Sequence, residues 1–588
     1  MYHKLLAMRP RLAVTIWLLS HLCTGLNAQE VRPEFLVRSG LSGTKGGVLV
    51  AAINADISTF NRMLTAGMAN AMVADRLSGD LVHINRRTLE LEPSLASRWE
   101  TAADGRTYTI HLRRGLRFSD GSPFTADDVL FSFQVLQDPA TAADQAGQVQ
   151  IDGGFPSVTK IDDHTVKLEF PRPVGMGLRA LDSIPMLPRH RLMDAFRQGN
   201  LRSAWGPGVD PEQVAGMGPF RLKEYRRGIH VILERNPYYW KRDESAQALP
   251  YLDRIVFLVI QDRNAEALRF QAGELDVASS LSPENFALLR RSQPRGNYQL
   301  KDLGPGLGME FLWLNLNPGK KPSGEPYLDP EKLRLFQRVE FRQAVSCALD
   351  REAMKRSVFL GLGEPQSGPI STGNKAWRHP DLRSATHDPA RARELLARIG
   401  LRDRDGDGIL EYGSRMAPLE IDLLSSRGNL AREKMAQIIK ENLARAGIRA
   451  NVQLLLANEI AARFMETFDY EAILFGIIPT DVVPDLQTDL WYSSGRLHFW
   501  YPAQPKPLYP WEATLDELTS RLVRTVDPQA RRELCNRMQE LWVQEMPAIP
   551  VIAPNVIVGW KSTVGNVSPS ILVPHLLWNA EELTVGRK

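Results

Sequence analysis

The chain has 588 residues, 43% of them hydrophobic and 24% charged, which excludes a disordered polymer and suits a folded protein of several domains. Its 72 Lys+Arg against 68 Asp+Glu leave a formal +4, too little at this size to point to nucleic acid or an anionic membrane. Charge therefore names no partner.

Residues 1–28 combine a basic start (Lys4, Arg9, Arg11), the apolar run LAVTIWLL and small or neutral residues up to Ala28. That is the pattern of a secretory signal peptide, and it predicts an exported, periplasmic or otherwise extracytoplasmic protein. The run is well short of the ~20 residues of a spanning helix. Cys23 follows Leu22, where a lipoprotein signal carries a small residue, so a lipid anchor is not expected. Cys347 and Cys535, the two thiols beyond the signal, fall inside helical patterns and read as buried apolar side chains rather than a disulfide or a metal site.

After a lead expected to be mobile (29–45), GGVLVAAIN reads as the first strand. In TYTIHLRRGLRF, Tyr108, Ile110 and Leu112 alternate with polar residues, and Thr125 with Asp128 forms a capping box before an apolar helix face. HTVKLEF is another half-buried strand. The segment GMGPFRLKEYRRGIHVILERNPYYW reads as a hairpin, with Phe220 and Leu222 inward, a turn at Arg226–Gly228, and Ile229, Val231 and Leu233 inward on the return. LDRIVFLVI suits a strand covered on both faces. A helix then stops at Gly273, a position favoured for a left-handed cap. Farther on, FLWLNLN is a strand, Asp350 caps a helix, and Asp388 with Pro389 opens another. Strands and helices alternate to a last helix and the apolar run PAIPVIAPNVIVGW, which is α/β material.

The segment AGMGPFRLKEYRRGIHVILERNPYYW resembles the one by which the family 5 extracellular solute-binding proteins are known, the peptide- and nickel-binding subunits of ABC importers. PSLASRWE with the TYTIHLRRGLRFSDGSPFTADDVLFSF module, RFQAGELD, FRQAVSCALDREAM, DPARARELLARIG and PAIPVI continue the likeness, in order, over roughly 46–560. The resemblance implies an α/β fold of two lobes hinged around a cleft, the periplasmic-binding-protein fold with an extra inserted subdomain. Lobe I would comprise 46–89, the inserted subdomain 90–205, 206–305 and a C-terminal return 549–588; lobe II would be 306–548. The hinge crossings are expected near 302–309 and 546–553. The implied partners are a small-molecule or peptide ligand and ABC permease subunits, with the protein a monomer, no cofactor and no nucleic acid.

In peptide binders of the family a carboxylate after the corresponding strand pairs with the peptide amino group. The matching stretch here is FGIIPTDVVPDL, where Val483 replaces the usual Asp before Pro484, so the resemblance leaves Asp481 or Asp485 as the candidate; either could instead be a turn carboxylate. The loop after the first strand nominates Asn54, Asp56 and Phe60, the turn of GMGPF nominates Met217, and Trp313 and Asn315 stand where the chain enters lobe II. Trp377, Trp491 and Trp500 could wall the ligand, though core packing is the ordinary fate of such rings. In DRDGDGILEYGS, Asp403, Asp405, Asp407 and Gly408 match a calcium loop, but Ser414 stands where its bidentate Glu belongs, which favours a solvated turn over metal.

No G-x-S-x-G, H-E-x-x-H, P-loop or C-x-x-C occurs, and the histidines are scattered, so no enzyme is expected. An exported hydrolase, a ligand-presenting sensor or a chaperone is the alternative. Di- or oligopeptides lead as ligand; oligosaccharides, nickel chelates or haem stay open because one fold hosts unlike sites.

Overall fold

The computed structural model describes residues 33–64, 67–151, 153–383 and 386–586; residues 1–28, which carry the signal-peptide pattern, lie outside them. The apolar side chains gather into two main cores. One is built mainly from Leu49 to Val277, takes in Leu572, Leu576, Leu577 and Leu583 from the C-terminal return, and has Val482, Val483 and Val523 of the second half of the chain packed into it. The other spans Met309 to Ala553. These are lobes I and II.

Lobe I contains a four-stranded sheet in which Val48–Ile53 lies parallel to Arg254–Val259, followed by His230–Arg235 and Phe220–Arg226. The hairpin forms as the alternation predicts, with Val231 and Leu233 fully buried. Ile229 differs: it sits in the tip beside Gly228 and is 58% exposed, because the turn takes one residue more than the pattern assigns it. Arg254–Val259 is covered on both faces, as its apolar run suggests, but unequally: Ile255 and Phe257 are buried in the lobe I core, which Val259 flanks, while Leu258 on the other face is half-buried against a smaller apolar cluster around Phe270.

The inserted region builds its own sheet, in the order Ala96–Thr101, Thr107–Leu112, Thr165–Glu169, Ser157–Asp162. The helix Ala126–Gln137 packs against it, its first turn closed by the reciprocal Thr125–Asp128 box. Within the lead expected to be mobile, Leu36–Arg38 instead pairs in parallel with Lys241–Asp243, and Arg38 is held by Glu92 and Glu582.

Lobe II is built on a mixed sheet ordered Ala548–Lys561, Met309–Leu314, Ala472–Ile477, Glu420–Ser426, Arg449–Leu455. Ala548–Lys561 is the strand that joins the lobes. Its first half pairs with Met309–Leu314 in lobe II and its second half with Tyr298–Pro305 in lobe I. The two crossings therefore lie side by side, at Gly306–Gly308 and at Ala553–Asn555, tied by the Gly306 amide donating to the Pro554 carbonyl at 2.9 Å. The second crossing falls at the far edge of the expected 546–553 window because the strand passes unbroken through the boundary.

Among the described residues, no helix is long and apolar enough to cross a membrane.

Candidate functional site between the lobes

The strand Ala472–Ile477 leaves lobe II and runs into the loop that carries Asp481. Asp481 is 2% exposed and meets Arg179 in a two-pronged ion pair, Nε to Oδ2 at 2.9 Å and Nη2 to Oδ1 at 2.7 Å. Arg179 comes from the short turn Gly177–Leu181 of the inserted subdomain, and its Nη1 donates to the Leu89 carbonyl at 2.8 Å. Lobe I thus grips the lobe II loop through one guanidinium that is itself fixed from behind. The loop has a second anchor in Asn374, whose Nδ2 donates to the Val482 carbonyl at 2.7 Å.

The pair borders a cavity of about 130 Å³ with walls from both lobes. Arg62, Met68, Met72, Asp75, Arg86 and Asp182 line one side and Thr480, Asp481 and Leu486 the other. A second chamber of about 90 Å³, inside lobe I, shares Arg62, Asp75, Arg86, Ser183 and Pro574 with it and extends to Met217, Trp240, Lys241 and Glu581. The cations in these walls have anionic partners: Arg62 with Asp75, Arg86 with Asp182 at 2.8 Å, Lys241 with Glu581 at 2.7 Å, Arg179 with Asp481. Burial would raise the Glu581 carboxyl, but Lys241 and Arg38 bring it down to about 2. A space with its charges matched in this way disfavours a ligand of large net charge and accepts one that brings both signs.

The other site candidates are placed as follows. Asn54 is exposed. Asp56 accepts from the Tyr225 hydroxyl at 2.7 Å and the Gly228 amide at 3.0 Å, so it clamps the hairpin tip. Burial opposes its ionisation, yet these bonds hold its carboxyl below the usual range, while burial and Asp56 together push the Tyr225 hydroxyl up to about 12. Phe60 is buried edge-on against Tyr225. Met217 is buried and lines the lobe I chamber.

In lobe II, Trp313 stacks on Phe499 at 4.5 Å, Trp491 meets Trp542 edge-on, and Trp500 donates Nε1–H to Glu512 at 2.8 Å. All three are core residues and none lines either cavity, which corrects the reading of them as flat walls: neighbouring aromatic rings already cover their faces. Asn315 is likewise occupied, donating to the Phe468 and Tyr470 carbonyls at 3.0 Å. Trp377 alone of the four tryptophans packs against both cores, with Arg531 over its ring at 5.0 Å. Asp485 is buried against Arg531 at 2.6 Å with its Oδ2 unpartnered, and burial pushes its carboxyl up despite that cation.

Cys535 is buried as its helical pattern predicts, whereas Cys347 is only half-buried; neither is in a disulfide, and burial raises both, Cys535 to about 12. Among the described residues, two carboxylate clusters have spacing compatible with a cation. In one, His83 joins Asp80 and Asp182, but Arg86 already bonds both oxygens of Asp182. Asp182 lies far along the chain from His83, so sequence spacing could not bring them together. The other is the acidic loop, where Asp403, Asp405 and Glu411 converge; Ser414 is turned away and donates to Glu331.

Arg179, like Arg62, Asp75, Arg86 and Asp182 of the cavity wall, is not among the residues nominated from the sequence. No local signal marks it, since its partner is 302 positions away.

Residues 90–498 match the family described as bacterial extracellular solute-binding proteins, family 5. The oligopeptide-binding protein AppA of Bacillus subtilis (strain 168) is 27% identical over 474 residues, 78% of each chain. The periplasmic alpha-galactoside-binding protein of Rhizobium meliloti (strain 1021) is 26% identical over 540 residues, 86% of this chain and 75% of its own. In three dimensions, AppA bound to a nonapeptide superposes with a TM-score of 0.73 at 23% identity, covering 93% of this chain and all of the other. The binding protein MelB of Agrobacterium fabrum C58, bound to stachyose, superposes with a TM-score of 0.74 at 24% identity, covering 92% and 85%. A family match over well more than half of the chain, on a two-lobed fold with a cavity at the junction, establishes that this protein belongs to the family 5 bacterial extracellular solute-binding proteins.

Proposed function

We propose that the protein is the extracytoplasmic solute-binding subunit of an ABC importer, a monomer delivered by its signal peptide, and that it carries di- or oligopeptides to a membrane permease. The observation that carries the ligand class is the Arg179–Asp481 pair at the border of the interlobe cavity. A ligand that enters there must separate or skirt two buried charges, and stripping one partner from such a pair costs about 3–5 kcal/mol. A zwitterion supplies a replacement for each: its ammonium goes to Asp481 and its carboxylate to Arg179. The matched charges of the remaining wall suit the same ligand. Lobe closure then removes water from these contacts and strengthens them. The chemistry ends at binding, with no bond made or broken, and the permease takes the ligand when the lobes part.

Calorimetry with di-, tri- and nonapeptides tests this. Free peptides should bind, and N-acetylation or C-amidation should each weaken binding by about tenfold or more, which is about 1.4 kcal/mol. If no peptide gives heat while an oligosaccharide or a nickel chelate does, the ligand class is wrong. Mass spectrometry of the same mixtures should return the peptides intact; cleavage products would make the protein a hydrolase.

A further inference from the structure

Arg351 opens the helix Arg351–Ser357 and folds under the preceding helix. Its Nε donates to the Pro550 carbonyl, its Nη1 to the Ser346 carbonyl and its Nη2 to Ser346 Oγ, each at 2.9 Å. It is 5% exposed, and no carboxylate is among these partners. Burial lowers its guanidinium to about 10. A buried cation without a counter-charge is costly, and every other buried cation described above has been given an anion.

Arg351 lines a cavity of about 260 Å³ that shares no residue with the two chambers at the lobe junction. Arg383 and Arg391 line the same cavity with Gln343, Gln366 and Cys347, and among the described residues no Asp or Glu does. Arg391 does have a carboxylate neighbour in Glu394, at 2.7 Å, but that contact lies on the exposed face of its helix. Three guanidiniums around one empty space, with no acid in its wall, contrast with the matched charges of the interlobe cavity. Three of the five N–H donors of Arg351 are used, which leaves two. Leu395, Val543 and Met546 supply an apolar side to the same space.

We propose that this lobe II cavity is a second binding site, separate from the transport site, for a small molecule bearing a phosphate or carboxylate group. The oxyanion faces Arg351, Arg383 and Arg391, whose planar forks suit two-pronged contacts with such groups. The rest of the molecule lies along Leu395, Val543 and Met546.

Cys347 gives a local readout, because it lines the cavity and is half-buried, whereas Cys535 is sealed in the core and serves as an internal control. The full-length protein is treated with N-ethylmaleimide in the presence of inorganic phosphate, succinate, or sodium chloride of matched ionic strength, and modification at Cys347 is followed by peptide mass spectrometry. Phosphate or succinate should slow it by about a factor of ten once the anion reaches roughly ten times its Kd, and chloride should not. Protection by phosphate alone assigns a phosphoryl ligand; protection by succinate alone assigns a carboxylate. The combined variant Arg383→Gln and Arg391→Gln, which leaves the buried Arg351 and its hydrogen bonds in place, should lose the protection while retaining peptide binding. Equal rates in all three salts, or protection that persists in that variant, would overturn the proposal.

Discussion

Asp481 and Asp485 leave one loop of lobe II, and both are buried against an arginine, but the arginines belong to different parts of the molecule. Arg179 reaches Asp481 from the inserted subdomain of lobe I and holds both of its oxygens. Arg531 reaches Asp485 from the helix Pro528–Glu545 of lobe II itself and leaves Oδ2 without a partner. The first pair must be undone whenever the lobes separate, so its charges become free to meet solvent or ligand. The second survives opening intact. Location relative to the hinge, rather than burial or charge, decides which carboxylate can trade its partner, and the same rule places Lys241–Glu581 of lobe I with the permanent pairs.

The largest effect should come from replacing each pair as a unit. Asp481→Ala alone strands Arg179 and should cost the closed form about 3–5 kcal/mol. Arg179→Met combined with Asp481→Leu removes both charges, so ligand-free closure should be retained in small-angle scattering. Peptide affinity should nevertheless fall by roughly a hundredfold, about 2.7 kcal/mol. The matching double replacement, Arg531→Met with Asp485→Leu, should leave peptide affinity within about threefold. The opposite ranking of the two doubles would break the comparison.

Acid offers the next test, directed at a permanent pair. Glu581 is buried, which would raise its carboxyl, yet Lys241 and Arg38 hold it at about 2, below its unfolded value near 4.5. A depressed carboxylate stabilises the fold above its unfolded pKa and loses that contribution as pH falls toward the folded one. Between about pH 4.5 and 2, lobe I should therefore lose on the order of 3 kcal/mol. Denaturant midpoints measured across this range should show the loss, and Glu581→Gln should flatten the curve. A variant as acid-sensitive as the parent would assign the loss to other groups.

Local bonds were legible in the sequence and distant ones were not. The Thr125–Asp128 box, the Asp350 and Asp388 caps and the left-handed Gly273 each depend on residues within one turn, so their spacing encodes them. The hairpin was readable for the same reason, apart from Ile229 at its tip, where one residue of turn length decides facing. Trp313, Trp491 and Trp500 resisted because a ring beside a cleft and a ring in a core have the same composition around them; their partners Phe499 and Trp542 arrive from elsewhere in lobe II. Asp481 could be nominated from its loop, but that an arginine already holds it is a fact about two lobes meeting, and no periodicity records that.

A smaller effect should follow from filling a contact between the lobes without touching any charge. The Gly175 amide of the inserted subdomain donates to the Val523 carbonyl of lobe II at 2.7 Å. A methyl group at Gly175 would lie 2.3 Å from the Thr525 carbonyl oxygen and 2.7 Å from Arg531 Nε, distances that real side chains do not reach. Gly175→Ala should disfavour closure by about 1–3 kcal/mol, as overpacking commonly does. Scattering should report a larger ligand-free particle, and peptide should restore the compact form at a higher concentration. An unchanged radius would mean that this contact yields without parting the lobes.

The smallest effect is expected where carboxylates are held mostly by backbone amides of their own loop, with Arg449 near Asp407 at 3.5 Å as the one cation from outside it among the described contacts. Asp403 accepts the Gly406 amide at 2.7 Å and the Gly408 amide at 3.0 Å, Asp405 accepts that of Asp407, and Asp407 accepts that of Ile409. Glu411, which converges with Asp403 and Asp405, is held by the Arg404 amide. A calcium ion would have to draw these oxygens away from bonds already made, and Ser414 gives it no bidentate carboxylate at the closing position. Millimolar calcium should therefore move Tm by no more than about 1 °C, against the several degrees that a ligand well above its Kd produces. A shift of that larger size, lost in Asp403→Asn, would add a third kind of acidic pairing to the two contrasted above, one completed by metal rather than by arginine or by backbone.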